Sequence, residues 1–346
     1  MSLSFLFQPY RIKDLTLRNR IVMSPMCQYS VWAEDGRLND WHFVHYVSRA
    51  VGGTGLILVE MTDVAPEGRI SARDSGIWSD AHIEPLARIA DAVHGHQARF
   101  GVQIAHAGRK AQEPSWDVVA PSAIRFSESL PEPRALSTEE CQSLVDRFAD
   151  GARRAVAAGA DVIELHGAHG YLLNQFMSPG SNHRRDRYGD PARFVTEVVQ
   201  AVKAVMPGGM PLFMRVSAVE YSDEGYTLDQ LVAFCAAFHR AGVDLFDVSS
   251  GSNYPTGPTA TYPGYQVPYA ARIRRDVEVP VMAVGRLEDP LVAEAVVGDE
   301  RADLVAVGRG HLQNPYWANA AALALHEPIQ VPWEYYRAFP DAPRPQ

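Results

Sequence analysis

Two histidines and a tyrosine follow one apolar segment of the chain, and their types and spacing could do chemistry. His166 and His169 come directly after DVIEL, and Tyr171 stands two residues further on. Four interpretations are open: a metal site, an acid/base pair, a clamp on a substrate oxygen, or ordinary loop polarity. A metal site needs at least a third ligand, which HxxH alone does not supply. We favour two N–H donors aimed at one oxygen, with Tyr171 beside them as a proton donor.

Such a pair of donors has a definite chemical consequence. Hydrogen bonds from two N–H groups to one carbonyl oxygen withdraw electron density from a conjugated double bond. The β-carbon of that double bond then becomes an acceptor for hydride. The histidine pair therefore indicates hydride addition to an activated alkene.

Two glycine-arginine pairs near the end of the chain indicate a phosphate site. They lie in VGRLED and VGRGHLQNP, and they place Gly285, Gly308 and Arg309 after two apolar segments. Backbone N–H groups of glycine-rich loops and a short helix N-terminus commonly bind phosphate at such positions. The sequence thus predicts a ligand that carries a phosphate group.

Short apolar segments alternate with amphipathic ones along the whole chain, which is typical of βα units around a parallel sheet. Eight such strands close a (β/α)8, or TIM, barrel, whose chemistry lies on the loops after the carboxyl ends of the strands. The predicted strands are Ile21–Ser24, Leu56–Glu60, Phe100–Ile104, Val162–Leu165, Leu212–Val216, Leu245–Val248, Val281–Val284 and Leu304–Val307.

Nearly repeated junctions indicate one reused module. AAGADVIELH and RAGVDLFDVS each place a glycine, Gly159 or Gly242, where a helix ends in the left-handed conformation. We expect a single barrel domain over residues 1–346. Residues 105–137, rich in proline, predict a lid or hairpin excursion after the third strand, and the aromatic tail from Glu327 is expected to dock on the barrel or on a neighbouring subunit.

Composition narrows the functional class. The formal net charge is −9, which argues against a nucleic-acid-binding protein because such proteins carry a basic surface. The three cysteines show no metal or disulfide spacing, so a reducing, cytoplasmic setting is expected. The first residues do not resemble a signal peptide, and no segment has the length of apolar residues that a membrane span needs.

Four motifs together resemble the old yellow enzyme family of flavin-dependent ene-reductases. They read RNRIVMSPMCQYS, AHAGRKA, ELHGAHGYLLNQFMSPGSNHRRDRYG and DLVAVGRG. The resemblance runs from about Leu6 to Phe339 and is closest to the bacterial xenobiotic reductases, the thermophilic-like branch. It implies a barrel that holds FMN without a covalent bond and accepts hydride from NADPH or NADH.

The resemblance also implies which residues hold the cofactor. Cys27 would tune the reduction potential of the flavin, and Arg215 would face its N1/O2 side. Gly285, Gly308 and Arg309 would hold the phosphate, in agreement with the interpretation of the two GR pairs. The implied cofactor-binding residues are Ser24, Pro25, Met26, Cys27, Met61, Gln103, Arg215, Gly285, Gly308 and Arg309.

For the substrate, the resemblance implies that His166 and His169 bind a carbonyl or nitro oxygen while Tyr171 protonates the α-carbon. Tyr29 resembles a substrate-contacting tyrosine. Arg337, in the segment YYRAF, resembles an arginine that enters the active site of a neighbouring subunit. A homodimer or homotetramer is therefore expected, with a small electrophilic alkene as substrate and neither nucleic acid nor membrane as partner.

Two alternatives remain open at this point. One is a flavin-free barrel lyase or isomerase that acts on a phosphorylated metabolite, for which Lys110 is the candidate Schiff-base lysine. The other is a flavin-binding protein without catalysis. Neither the physiological acceptor nor the choice between NADPH and NADH follows from the sequence.

Overall fold

Eight parallel strands form a closed barrel in this computed structural model, which describes residues 4–329 and 331–339. The strands are Ile21–Met23 (β1), Leu56–Asp63 (β2), Arg99–Ala105 (β3), Val162–Gly167 (β4), Leu212–Ser217 (β5), Leu245–Ser249 (β6), Val281–Ala283 (β7) and Leu304–Val307 (β8). Each strand pairs with its neighbours in chain order, and β8 pairs with β1, which closes the barrel. The predicted TIM barrel is confirmed, with strand ends that differ by a few residues.

Helices surround the barrel. They are Asp40–Val51 (α1), Ile83–Gly95 (α2), Thr138–Ala157 (α3), Leu172–Met177 (α4), Arg193–Val205 (α5), Leu228–Ala241 (α6), Val267–Val277 (α7), Pro290–Gly298 (α8), Arg309–Gln313 (α9) and Trp317–Ala324 (α10). Both junction glycines have positive φ angles, +87° at Gly159 and +132° at Gly242, as the repeated motif predicts. None of the helices within the described ranges has the length and apolarity to span a bilayer.

The barrel interior consists of layers because side chains alternate across each strand. At the amino end, Val162, Phe213 and Leu245 belong to a buried apolar cluster. Two residues further along the same strands, the interior positions are Glu164, Arg215 and Asp247 (strand ranges as above). An apolar layer is therefore followed by a charged layer just below the carboxyl ends of the strands.

A short antiparallel hairpin, Tyr10–Ile12 with Leu15–Leu17, lies at the amino end of the barrel. Ile12, Leu15 and Leu17 pack into the same apolar cluster as the lowest interior layer. Burial of these side chains stabilises the barrel because each apolar residue removed from water contributes about 1.5–3 kcal/mol. The hairpin closes this end of the barrel, a feature that the strand pattern does not predict.

The excursion after β3 differs from the predicted hairpin. Its two short strands, Val119–Ala120 and Arg134–Ala135, pair in parallel rather than antiparallel. A parallel pair cannot be joined by a tight turn, so the residues between them form a wide loop instead. The excursion also contains a 3-10 turn, Gly108–Lys110, directly after β3.

The aromatic tail forms a 3-10 helix over Trp333–Ala338. Its largest side chain, Trp333, is 66 % exposed, and Tyr335 is 45 % exposed. The tail thus does not bury these aromatics on its own barrel.

That residues 1–346 form one domain stays a prediction. Residues 1–3, 330 and 340–346 lie outside the described residues.

Candidate active site

A cavity of about 400 Å³ lies at the carboxyl end of the barrel strands. Every residue that the sequence assigns to the cofactor lines it, and so do His166, His169 and Tyr171. These residues come from seven of the eight strand ends and are distant in sequence, so the fold alone brings them together. The remaining lining residues are Ser249, Ser250, Ser252, Tyr265, Gln266, Val284, Arg286, Leu287, Glu288 and Ala306.

The three side chains after β4 form one cluster. The His166 ring centroid lies 5.1 Å from that of His169 and 4.8 Å from that of Tyr171, with near-perpendicular ring planes in both pairs. His166 Nδ1 accepts a hydrogen bond from the backbone N–H of Ala168 at 3.3 Å. A neutral imidazole whose Nδ1 is an acceptor carries its proton on Nε2. His166 is thereby set as an Nε2–H donor.

His169 is held by its own backbone as well as by its ring. Its φ angle is +57°, in the left-handed region that non-glycine residues seldom adopt, and Gly170 follows with +72°. The backbone N–H of His169 donates to Ser217 Oγ at 3.0 Å, and its Nε2 lies 2.7 Å from Ser249 Oγ. Hydrogen bonds to β5 and β6 therefore compensate the strained turn.

Burial fixes the protonation states of this cluster. It lowers the pKa of His166 well below the ordinary value, and repulsion from neighbouring cations (His169 whenever that ring is protonated, then Arg215 and Lys110) lowers it further. The pKa of His169 falls for the same reasons, burial first and then Arg215 and Lys110. Burial raises the pKa of Tyr171 well above its ordinary value. At neutral pH the site therefore presents two neutral imidazoles and a protonated phenol.

Cys27 and Tyr29 differ in their relation to the cavity. Cys27 is a free cysteine that lines it, and burial raises the pKa of its thiol, with the carboxyl groups of Glu60, Asp74 and Asp63 next in effect. Tyr29 does not line the cavity and is 45 % exposed, although it is close enough to Cys27 for that thiol to raise its pKa after burial. The substrate role of Tyr29 stays a prediction.

Lys110 is the candidate Schiff-base lysine of the alternative lyase, and the resemblance to flavin reductases gives it no role. Its Nζ donates to the backbone carbonyls of His169 at 2.9 Å and of Ser252 at 3.1 Å. The same ammonium lies 5.0 Å from the ring centroid of Tyr171. Lys110 thus joins the loops after β3, β4 and β6 beside the proposed proton donor.

Gln266 is a lining residue that sequence reasoning missed. It precedes α7, and its Nε2 donates to the backbone carbonyl of Val284 at 3.2 Å, while its Oε1 accepts from Ser250 Oγ at 2.6 Å. A Cβ at Gly285 would lie 2.9 Å from Gln266 Nε2, and Gly285 has a φ angle of +116°. The only signal for Gln266 in the sequence is its place just before a helix, two residues ahead of Pro268.

The residues around the cavity fit FMN. A volume of about 400 Å³ lies within the range of about 300–1,000 Å³ that ligand sites usually have. A Cβ at Gly308 would lie 3.4 Å from Met26 Sδ and 3.8 Å from Ser24 Cβ, so glycine keeps space open between two other lining residues. Gln103 and Arg215 offer polar groups to a ring system, and Arg309 offers a cation to a phosphate. In the described part of the chain, no three His, Cys, Asp or Glu residues are grouped so as to hold a metal ion.

Comparison with known proteins identifies the family. Residues 5–327 match the model of the NADH:flavin oxidoreductase / NADH oxidase family. The chain belongs to this family. An NADPH dehydrogenase of Geobacillus sp. (strain WCH70) is 48 % identical over 340 residues, which cover 97 % of this chain and 99 % of that protein. An NADPH dehydrogenase of Listeria innocua is 47 % identical over 341 residues, covering 97 % and 100 % of the two chains.

Solved structures of morphinone reductase have the same fold. Morphinone reductase superposes with a TM-score of 0.82 at 27 % identity, over 93 % of this chain and 90 % of that chain. The resemblance to old yellow enzymes is thereby confirmed, as are FMN and a reduced nicotinamide as cofactors. The protein is an NAD(P)H-dependent flavin oxidoreductase, which leaves no support for the flavin-free lyase.

Proposed function

We propose that the protein reduces the activated C=C bond of α,β-unsaturated carbonyl or nitro compounds. The observation that carries this proposal is the buried cluster of His166, His169 and Tyr171 on the wall of the cavity, where burial favours neutral imidazoles and a protonated phenol. This set can polarise one oxygen and deliver one proton, and it lacks an ionised base that would remove a proton. Such chemistry matches the addition of hydrogen across a conjugated double bond.

Each residue of the cluster has a distinct role in this proposal. His166, through its Nε2–H, and His169 donate hydrogen bonds to the carbonyl or nitro oxygen of the acceptor. Tyr171 donates its phenolic proton to the α-carbon. FMN, when bound, would accept hydride from the nicotinamide and supply it to the β-carbon in two half-reactions at one site, so we expect ping-pong kinetics.

The cofactor is held by three groups of lining residues in this proposal. The residues that would pack around the flavin ring are Ser24, Pro25, Met26, Cys27 and Met61. Gln103 and Arg215 offer it hydrogen bonds and positive charge. Gly285, Gly308 and Arg309 hold the phosphate at the ends of β7 and β8, where glycines let a ligand approach the backbone.

An anaerobic absorbance titration tests the proposed reaction. Purified protein is given NADPH and then 2-cyclohexenone while the flavin band is followed. We expect the band to bleach with NADPH and to return with the enone. A band that bleaches and does not return would exclude this enone as an acceptor, and a band that NADPH does not bleach would contradict the proposed donor.

The charge on Lys110 should make alkene reduction depend on pH. Burial, with the charge of Arg109 second in effect, lowers the pKa of Lys110 to about 8. Below this pH the ammonium faces the ring of Tyr171 and stabilises the phenolate that forms as Tyr171 gives up its proton. A cation at this distance from an aromatic ring contributes about 0.5–2 kcal/mol. We therefore expect the rate to fall about 2- to 30-fold as pH rises through 8.

Lys110→Met is the matched variant for this prediction, because it keeps the length of the side chain and removes the charge. We expect the variant to show the lower rate at every pH and no step near pH 8 in the enone half-reaction. A step near pH 8 that survives unchanged in Lys110→Met would assign it to another group.

Arg337 is proposed to act in a neighbouring subunit. It is an exposed residue of the tail helix, two positions after the exposed Tyr335, and it does not line the cavity of its own chain. We expect co-expressed Tyr171→Phe and Arg337→Ala subunits to recover activity, because the mixed dimer holds one site with both Tyr171 and a partner arginine. The test compares the rate of the mixed dimer with the rate of each single variant. Sedimentation establishes the oligomeric state. No recovery in a verified mixed dimer would contradict action between subunits.

We propose that the chain works as one barrel domain in the cytoplasm. The three cysteines are free, two of them buried, which accords with a reducing compartment.

A further inference from the structure

The charged layer below the cavity contains more acid than base. It consists of Glu164, Arg215 and Asp247, with Gln103 beside Glu164 in register and Arg215 beside Asp247. Glu164 and Asp247 are fully buried, and Arg215 is 6 % exposed. An unpaired charge in such surroundings is strongly unfavourable. The layer therefore has to balance its charges internally.

Asp247 provides that balance for Arg215. Its Oδ2 lies 3.3 Å from Arg215 Nε, close enough for an ion pair. Neither carboxylate oxygen of Asp247 has an aligned hydrogen-bond donor among the described residues. The ion pair with the guanidinium thus holds the carboxylate in the interior. Breaking such a buried pair by removing one partner leaves an uncompensated charge.

The other end of Arg215 faces the cavity. Its Nη1 donates to Ser24 Oγ at 3.1 Å, and both residues line the cavity. Asp247 does not line it. Asp247 therefore lies behind Arg215 as seen from the cofactor site and acts on that site only through the guanidinium and its field.

Glu164 differs from Asp247 both in its partner and in its charge. Its Oε1 accepts a hydrogen bond from Gln103 Nε2 at 2.8 Å, and its Oε2 has no partner among the described residues. Burial, with the nearby charge of Asp247 second in effect, raises the pKa of Glu164 to about 8. Burial also raises the pKa of Asp247, and the guanidinium of Arg215 acts against this rise. One guanidinium cannot compensate two buried carboxylates, so Asp247, which contacts it at 3.3 Å, keeps the charge and Glu164 keeps a proton at pH 7.

We propose that Asp247 is a positioning residue that lowers the electron affinity of the bound FMN by offsetting the charge of Arg215. Reduction adds negative charge to the flavin ring, and the buried guanidinium favours that charge. A carboxylate behind the guanidinium weakens its effect across the low-dielectric interior. The proposal rests on FMN lying in this cavity and is independent of which alkene is reduced.

The reduction potential of the bound FMN tests this inference. Asp247→Asn keeps the shape of the side chain and removes the charge. We expect the two-electron equilibrium constant for flavin reduction to increase at least tenfold, which corresponds to about 30 mV toward positive potential. The potential is measured at pH 7 by equilibration with a redox dye, on protein whose FMN content and thermal unfolding are recorded.

Two further variants separate the charge of Asp247 from other effects. Glu164→Gln changes the same layer without removing a charge at pH 7, and we expect less than a twofold change. Asp244→Asn removes a carboxylate that pairs with Lys13 and Lys203 just before β6, away from the cavity, and we again expect less than twofold. Shifts of equal size in Asp247→Asn and either control would overturn the assignment to Asp247.

Sulfite binding gives a second readout that involves no turnover. Sulfite adds to oxidised flavin, bleaches its absorbance and leaves negative charge on the ring, so it responds to the same field. We expect Asp247→Asn to bind sulfite at least several-fold more tightly than the unaltered protein. Should Asp247→Asn not fold, Asp247→Ser is measured in its place with the same expected direction.

An unchanged or lower potential in a folded, FMN-loaded Asp247 variant would overturn the proposal. Failure of the enone titration would leave these potentials measurable, so this inference and the proposed function can fail separately.

Discussion

Replacing Tyr171 with phenylalanine is expected to slow enone reduction by about 10²–10⁴-fold, the usual contribution of a positioned general acid. The phenol lies against His166 in the cavity wall, and burial keeps it protonated. Flavin reduction by NADPH needs no proton from this group, so we expect it to change by less than a few-fold. Stopped-flow absorbance resolves the two half-reactions in the same sample.

Tyr188→Phe is the matched control for that experiment. Tyr188 is a fully buried tyrosine whose hydroxyl donates to Glu197 Oε2 at 2.9 Å and which does not line the cavity. Loss of this hydroxyl is expected to lower stability by about 1 kcal/mol without a selective effect on either half-reaction. Equal slowing of both half-reactions in Tyr171→Phe would contradict its role as proton donor.

Replacing His166 with alanine is expected to lower kcat/KM for the enone by about 10²–10³-fold, the effect of removing one preorganised donor to a developing oxyanion. The tautomer of His166 is fixed by the N–H of Ala168, so its Nε2–H is already set before the acceptor binds. Because burial keeps the imidazole neutral, we expect the loss to be the same at pH 6 and pH 8.

His166→Asn serves as the conservative variant, since its side-chain amide retains an N–H donor and should recover part of the rate. His94→Ala is the control at the opposite end of the barrel, where that ring pairs with Asp161. A loss in His166→Ala that grows as pH falls would contradict the neutral donor, because it would report an imidazolium instead.

The barrel and the place of the site follow from the sequence because their signals are local. In β4, Ile163 and Leu165 pack outward while Glu164 and His166 face the interior, and this alternation can be read residue by residue. The capping glycines Gly159 and Gly242 mark where helices end. Since parallel strands bring their carboxyl ends to one rim, residues distant in sequence are predicted to meet there, as all the assigned cofactor residues do.

The parts that the sequence does not predict depend on long-range pairing. Arg134–Ala135 pairs with Val119–Ala120 across a loop whose composition indicates only irregular structure. Lys110 donates to the carbonyls of His169 and Ser252, and the residues that flank Lys110 in the sequence do not indicate either contact. The partner of Arg215 is hidden for the same reason, because Asp247 reads as one more polar residue within an apolar strand.

The N-terminal hairpin has a consequence for how the enzyme handles two substrates. Because the hairpin covers the amino end of the barrel, both substrates enter and leave through the rim that carries the loops. The nicotinamide and the acceptor therefore enter through the same opening, and each can block the binding of the other. An excess of alkene should consequently inhibit its own reduction, because alkene bound at the oxidised site slows the binding of the nicotinamide.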